Sequence, residues 1–154
     1  MAGGAGTVLT PAQAEQAFQA GACFIVSPGL DEGLAARCQS LRIPWIPGVA
    51  TPTEIMVALR LGLTVLKFFP AEAMGGTKTL SALMPLFPDV RFIPTGGITS
   101  RNLADYLKLP NVLACGGTWL ADRRLIQERR REELIRLARE AQAIARQARA
   151  QRPA

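Results

Sequence analysis

Histidine is absent from the 154-residue chain. That absence excludes Ser-His-Asp and Cys-His nucleophilic machinery, and a catalytic zinc held by imidazole. Any chemistry must come from lysine, carboxylates, hydroxyls, cysteine or backbone dipoles. Cysteine is scarce: Cys23, Cys38 and Cys115 are too few and too scattered for a disulfide framework or a four-thiolate zinc site. They are expected as small core residues in a reducing compartment. Cys115 lies in the apolar run Val112-Leu113-Ala114-Cys115, which suits burial. No apolar run approaches the ~18–20 residues that span a bilayer. The opening Met1-Ala2-Gly3-Gly4-Ala5-Gly6 has neither the charged nor the apolar region of a signal peptide. A soluble, cytoplasmic protein with no membrane partner and no metal site is expected.

Acidic residues are in deficit, and the deficit is local. The net charge is +6. Up to Leu120, 3 Lys and 5 Arg face 7 acids; from Ala121 onward, 10 Arg face 5 acids. The basicity therefore belongs to the tail. The aromatic interleaving of single-strand nucleic-acid binders is missing. Leu134, Leu137, Ala138, Ala141, Ile144, Ala145 and Ala148 follow helical spacing. The arginines mostly fall on the other side, so Arg123-Arg124 and Arg129-Arg130-Arg131 read as solvated faces. No nucleic-acid partner is expected.

What is present is a repeated pattern of short apolar run, turn and helical segment. Strand candidates are 5–9, 24–27, 45–47, 65–69, 91–94 and 112–115. Their starts lie 19, 21, 20, 26 and 21 residues apart, the period of a βα unit with short loops. Helix candidates are 11–20, 31–40, 51–61, 77–84, 101–107 and 127–150. Thr10-Pro11 and the capping box Thr51-Pro52-Thr53-Glu54 mark helix starts. Ser100 is expected to precede another, and Gly21 and Gly62 fall just past helix ends. Alternating βα units predict a parallel α/β fold. No G-x-G-x-x-G opens a helix, which disfavours a dinucleotide-binding fold.

Lys67 is the main candidate for chemistry. In Leu63-Thr64-Val65-Leu66-Lys67-Phe68-Phe69-Pro70, strand alternation puts Val65, Lys67 and Phe69 on one face and Leu66 and Phe68 on the other. Desolvation lowers a lysine's pKa, and the neutral amine attacks a ketone to form a Schiff base. The competing reading is a lysine paired with Glu72 or reaching solvent. Thr95-Gly96-Gly97 and Gly116-Gly117-Thr118 end consecutive strands, where bare backbone amides can receive an oxyanion or phosphate. Tight turns with no ligand are the alternative. Glu54 and Glu72 are further acid–base candidates, although Glu54 already serves the capping box.

These segments together resemble one family. Gly4-Ala5-Gly6-Thr7-Val8, Ile25-Val26-Ser27-Pro28-Gly29, Ile46-Pro47-Gly48, Leu66-Lys67-Phe68-Phe69-Pro70-Ala71-Glu72, Pro94-Thr95-Gly96-Gly97-Ile98 and Gly116-Gly117-Thr118-Trp119-Leu120 occur in order. From about Gly4 to about Leu120 the chain resembles the 2-dehydro-3-deoxy-6-phosphogluconate (KDPG) and 4-hydroxy-2-oxoglutarate (KHG) aldolases. The resemblance implies a (β/α)₈ barrel, a homotrimer, and metal-free cleavage of a keto acid phosphate through a lysine Schiff base without cofactor. It implies Lys67 as the nucleophile and Thr7, Pro28, Phe69, Thr95 and Gly96 at the pyruvyl end. Gly97, Gly116, Gly117 and Thr118 match the phosphate end, with Thr118 replacing the family's usual serine.

The family pattern has two further βα units before the Gly-Ala-Gly-Thr strand. The second carries a proton-moving glutamate and a carboxylate-gripping arginine, and no position here matches either. The expectation is therefore an N-terminally shortened barrel of about six units over 1–126, with 127–154 as its last helix and basic tail. A complete barrel typically takes ~250 residues. Weak turnover by this chain alone is expected. A non-catalytic oligomeric, anion-binding module and a phosphosugar isomerase are the competing readings.

Overall fold

The computed structural model describes residues 2–152. The chain divides into two compact units. One contains the residues up to Phe69 with Asp89–Arg91, the other Pro70–Pro88 and the residues from Phe92 onward.

In the first unit, helix α1 spans Pro11–Gln19, α2 Glu32–Ser40 and α3 Pro52–Arg60. Each begins at a side chain that accepts an otherwise unpaired amide. Thr10 Oγ1 accepts from Gln13 N–H at 3.2 Å, and Asp31 Oδ1 from Leu34 N–H at 2.7 Å. At α3 the capping box is complete: Thr51 caps Glu54 N–H, and Glu54 Oε2 accepts from the amides of Ala50 and Thr51, both at 2.8 Å. Gly21 (φ 89°) and Gly62 (φ 76°) turn the chain just beyond α1 and α3 in the left-handed region.

The strands are short. β1 (Ile25–Val26) pairs in parallel with β2 (Trp45–Ile46), Ile25 opposite Trp45. β3 (Gly48–Val49) pairs in parallel with β4 (Val65–Phe68), Gly48 opposite Lys67. Pro47 separates β2 from β3 and lacks the N–H that a continuous ladder would use; its carbonyl accepts from Lys67 N–H at 2.8 Å. Val8, Ala14, Ile25, Leu34, Cys38, Ile43 and Trp45 form a buried cluster. Trp45 Nε1–H donates to buried Ser27 Oγ at 3.0 Å, and that hydroxyl donates to Gly29 O, so neither polar group is stranded.

The second unit holds α4 (Gly76–Leu83), α5 (Leu103–Lys108), a 3-10 turn at Thr118–Ala121, α6 (Arg123–Gln127) and α7 (Arg131–Ala150). Strand β5 (Arg91–Pro94) enters it from Phe92. Parallel bridges join Phe92 to Val112 and Thr95 to Gly116. Leu80, Phe92, Tyr106, Val112 and Asn111 are buried, and Asn111 Nδ2 donates to Leu80 O at 3.0 Å. Helix α7 packs on α5. Beyond that contact, Arg149 donates to Leu113 O at 2.8 Å and Arg152 Nε to Leu107 O at 2.7 Å. No helix among the described residues is long and apolar enough to cross a membrane.

Parallel pairing and βα alternation agree with the sequence expectation. Four details differ. The segments 5–9 and 112–115 make isolated bridges rather than strands; Thr7, at φ 59°, breaks the extended run in the first. Ser100 does not cap α5: Asn102 occupies that position, with its side chain turned back to Thr99 N–H and Gly97 O. The predicted helix 127–150 starts at Arg131, because Arg129 at φ 54° separates it from α6, which Asp122 caps through Arg124 N–H. Cys38 is buried and Cys115 half-buried, but Cys23 is exposed and is no core residue.

Candidate active site

Strand β4 carries the strongest candidate. Leu66 and Phe68 are fully buried on one face, while Val65 and Lys67 alternate with them on the other and are half-buried. Two apolar anchors on one face fix the register that presents the lysine. Among the described residues of its own unit no carboxylate forms an ion pair with Lys67. Its ammonium lies 4.3 Å from the centroid of the Phe69 ring. Burial lowers the Lys67 pKa below that of an ordinary lysine. The ring face favours the charged form, but by about 0.5–1 kcal/mol, less than one pKa unit. The site therefore holds a partly desolvated, unneutralised amine beside an aromatic wall.

Three more predicted residues belong to the same unit. Thr7 follows the Ala5–Ile25 bridge, Pro28 follows β1 and Phe69 follows β4. Since all these pairs run parallel, the three mark the carboxyl ends of their strands. Pro28 comes especially near β4's partner. A Cβ built on Gly48, opposite Lys67, would stand 1.9 Å from the Pro28 carbonyl oxygen. Only glycine permits that approach. Thr7 is exposed.

The remaining six lie in the second unit. At Thr95-Gly96-Gly97 three successive carbonyls are occupied. Ala71 N–H donates to Thr95 O at 2.8 Å, Glu72 N–H to Gly96 O at 3.1 Å and Asn102 Nδ2 to Gly97 O at 3.1 Å. The amide of Gly97 donates to no group among the described residues, whereas the Thr95–Gly116 bridge directs the Gly96 amide toward Gly116 O. Both glycines have positive φ, 100° and 80°. A turn with its carbonyls tied back and the Gly97 amide unpaired is suited to an anion.

Gly116 and Gly117 are glycine for a different reason. Neither has positive φ. Gly116 pairs with Thr95, and a Cβ there would meet Thr95 Oγ1 at 2.6 Å; on Gly117 it would enter the Trp119 ring. The Gly117 amide donates to no group among the described residues, and exposed Thr118 opens the 3-10 turn. Thr95-Gly96-Gly97 and Gly116-Gly117-Thr118 are thus neighbours along one parallel bridge.

Sequence reasoning missed Tyr106. Its buried hydroxyl donates to Glu72 Oε1, so the second acid–base candidate is a hydrogen-bond acceptor inside its own unit. Glu54, the first, remains committed to the α3 capping box. Among the described residues no group of His, Cys, Asp and Glu is arranged to hold a metal ion.

Comparison with known proteins points one way. The model of a family described as KDPG and KHG aldolase matches residues 1–137. A 2-dehydro-3-deoxy-phosphogluconate aldolase of Haemophilus influenzae is 46% identical over 136 residues, covering 88% of this chain and 64% of the relative. One from Treponema pallidum is 56% identical over 117 residues, covering 76% and 56%. The chain thus spans about three-fifths of the length of these relatives. Among solved structures, the KDPG aldolase of Legionella pneumophila, with pyruvate captured as a covalent carbinolamine, superposes with TM-score 0.80 at 41% identity. That match covers 97% of this chain and 68% of the other. A 3-hexulose-6-phosphate synthase from Salmonella typhimurium, at 17% identity and TM-score 0.65, shares the fold alone.

Proposed function

Because the chain belongs to the KDPG and KHG aldolase family, we propose that it carries the Schiff-base apparatus of a class I aldolase, with Lys67 as nucleophile. The supporting observation is the unneutralised, half-buried amine on a strand whose other face is core. Burial raises the fraction of neutral Lys67 at a given pH, which attack on a ketone requires.

The reaction proposed is cleavage of 2-dehydro-3-deoxy-6-phosphogluconate to pyruvate and glyceraldehyde 3-phosphate. Lys67 Nζ adds to the C2 ketone to give a carbinolamine, which loses water to form an iminium. The C3–C4 bond then breaks. Its electron pair moves to C3 as an enamine, the C4 hydroxyl loses its proton, and the aldehyde departs. Protonation at C3 and addition of water release pyruvate and regenerate the amine. Thr7, Pro28, Phe69, Thr95 and Gly96 are assigned to the pyruvyl end. The free amides at Gly97 and Gly117, with Gly116 and Thr118, are assigned to the phosphate.

The parallel βα units are assigned to a (β/α)₈ barrel of which these residues supply about six units, the first two being those not represented. A homotrimer in the cytoplasm, taking a small keto acid phosphate and no cofactor, completes the proposal. The 154 residues contain no match for the family's proton-moving glutamate or carboxylate-binding arginine.

Borohydride reduction in the presence of pyruvate tests the central step. A reduced pyruvyl adduct at Lys67, abolished in Lys67→Met, is the expected result. A folded chain that forms no adduct at Lys67 refutes the proposal.

A further inference from the structure

The geometry points to Glu72 and Tyr106 as a positioning pair that holds the Thr95-Gly96-Gly97 turn in its anion-accepting shape. Glu72 grips the turn in two ways. Its N–H donates to Gly96 O at 3.1 Å, and its side-chain stem lies directly against Gly97. A Cβ on Gly97 would stand 2.5 Å from Glu72 Cγ, so the stem occupies the space a side chain would need. Tyr106, 1% exposed on α5, anchors the far end of Glu72 through its hydroxyl. Gly76, at φ 58°, leaves room for that bond: a Cβ there would meet Tyr106 Oη at 2.9 Å and Glu72 Oε1 at 3.0 Å. Two glycines from separate segments therefore close around one carboxylate.

Glu72 acts here through the turn's backbone rather than on a reacting atom. Burial, reinforced by the hydrogen bond to Glu72, pushes the Tyr106 pKa well up, so the hydroxyl remains a donor throughout the range in which the protein is handled. Asn102 ties Gly97 O from the other side, and its Oδ1 accepts from Thr99 N–H at 2.8 Å. With three carbonyls drawn back by Ala71, Glu72 and Asn102, the Gly97 amide is left without a partner among the described residues. Preorganised amides bind an oxyanion without reorganising on arrival.

The inference rests on the turn being an anion site, and the test separates the two claims. Wild type, Tyr106→Phe and Glu72→Gln are compared by backbone ¹⁵N order parameters and by titration with inorganic phosphate. In Tyr106→Phe, Gly96 and Gly97 are expected to fall from about 0.85 toward 0.6 or lower. Phosphate affinity should fall roughly tenfold, the scale of one hydrogen bond to a charged group. Glu72→Gln retains an acceptor for Tyr106 and should leave both readouts near wild type; a loss there as large as in Tyr106→Phe would overturn the role of this hydrogen bond. Unchanged order parameters at Gly96 and Gly97 in Tyr106→Phe overturn the positioning role. Wild type that binds no phosphate, with the turn still loosened by Tyr106→Phe, instead overturns the anion-site reading and the proposed effect on affinity.

Discussion

Gly48 offers a sharp test of how backbone packing supports Lys67. In Gly48→Ala the new methyl would start 1.9 Å from Pro28 O and 2.3 Å from Pro28 C, both backbone atoms. Ordinary contact begins near 3.4 Å, so Pro28 or β3 must retreat by about 1.5 Å. Overpacking of this kind costs typically ~1–3 kcal/mol, and the upper half of that range is expected because no flexible side chain can yield. With a urea m-value of about 2 kcal/mol/M, the midpoint should fall by roughly 1–1.5 M. Gly48 sits opposite Lys67, so the displacement reaches the amine. A shift near 1 Å can cost ~10²-fold in a reaction that depends on alignment. Urea unfolding followed by far-UV circular dichroism, with pyruvate–borohydride trapping measured by intact mass, reads both effects. Gly29→Ala is the control: nothing lies within 4 Å of a Cβ there, and the change should stay within ~0.5 kcal/mol. If the two variants share a midpoint and a trapping rate, the close approach of Pro28 to β3 does not constrain the site.

Other perturbations probe separate parts. Burial depresses the folded-state pKa of Lys67, so the folded chain binds fewer protons than the unfolded chain between that value and the ordinary lysine value of ~10.4. Stability should therefore rise with pH through this window, and Lys67→Met should lose the rise and be the more stable protein at pH 7, as paired urea curves at pH 7 and 10 would reveal. At Glu54, burial pushes the pKa up, but hydrogen bonds from Ala50 N–H and from the Thr51 side chain and N–H outweigh it, leaving the pKa lowered. That stabilisation is present above the unfolded carboxylate value and fades as pH falls through the folded one, so Glu54→Ala should cost about 1 kcal/mol at pH 7 and progressively less on acidification. Phe68 is fully buried, and Phe68→Ala should destabilise by ~3–5 kcal/mol in the same assay.

Local chemistry made much of this legible in the chain itself. Thr10, the Thr51–Glu54 box, Gly21 and Gly62 mark helix boundaries because caps answer to the unpaired groups of one helix end. The alternation around Lys67 was readable because Leu66 and Phe68 flank it in sequence. Other features depend on residues distant along the chain. Tyr106 and Glu72 are 34 positions apart, and nothing local announces their bond. Gly96-Gly97 and Gly116-Gly117 look alike as text. The first pair needs positive φ, whereas the second makes room for Thr95 and Trp119. Ser100 looked like a cap by composition, yet Asn102 takes the position because its side chain also serves Gly97 and Thr99. The break at Arg129 depends on a left-handed backbone that an arginine does not advertise.

Strand β4 has a consequence for how such a chain can diverge. Core and chemistry alternate along it one residue at a time. A substitution at any position alters one face and leaves the other intact. Deleting or inserting a single residue upstream in the strand exchanges the two faces, turning an ammonium inward and Phe68 outward. Substitutions in this segment can therefore accumulate gradually, whereas changes of length cannot. Loops such as 85–88 carry no such two-faced alternation and are where length variation can accumulate.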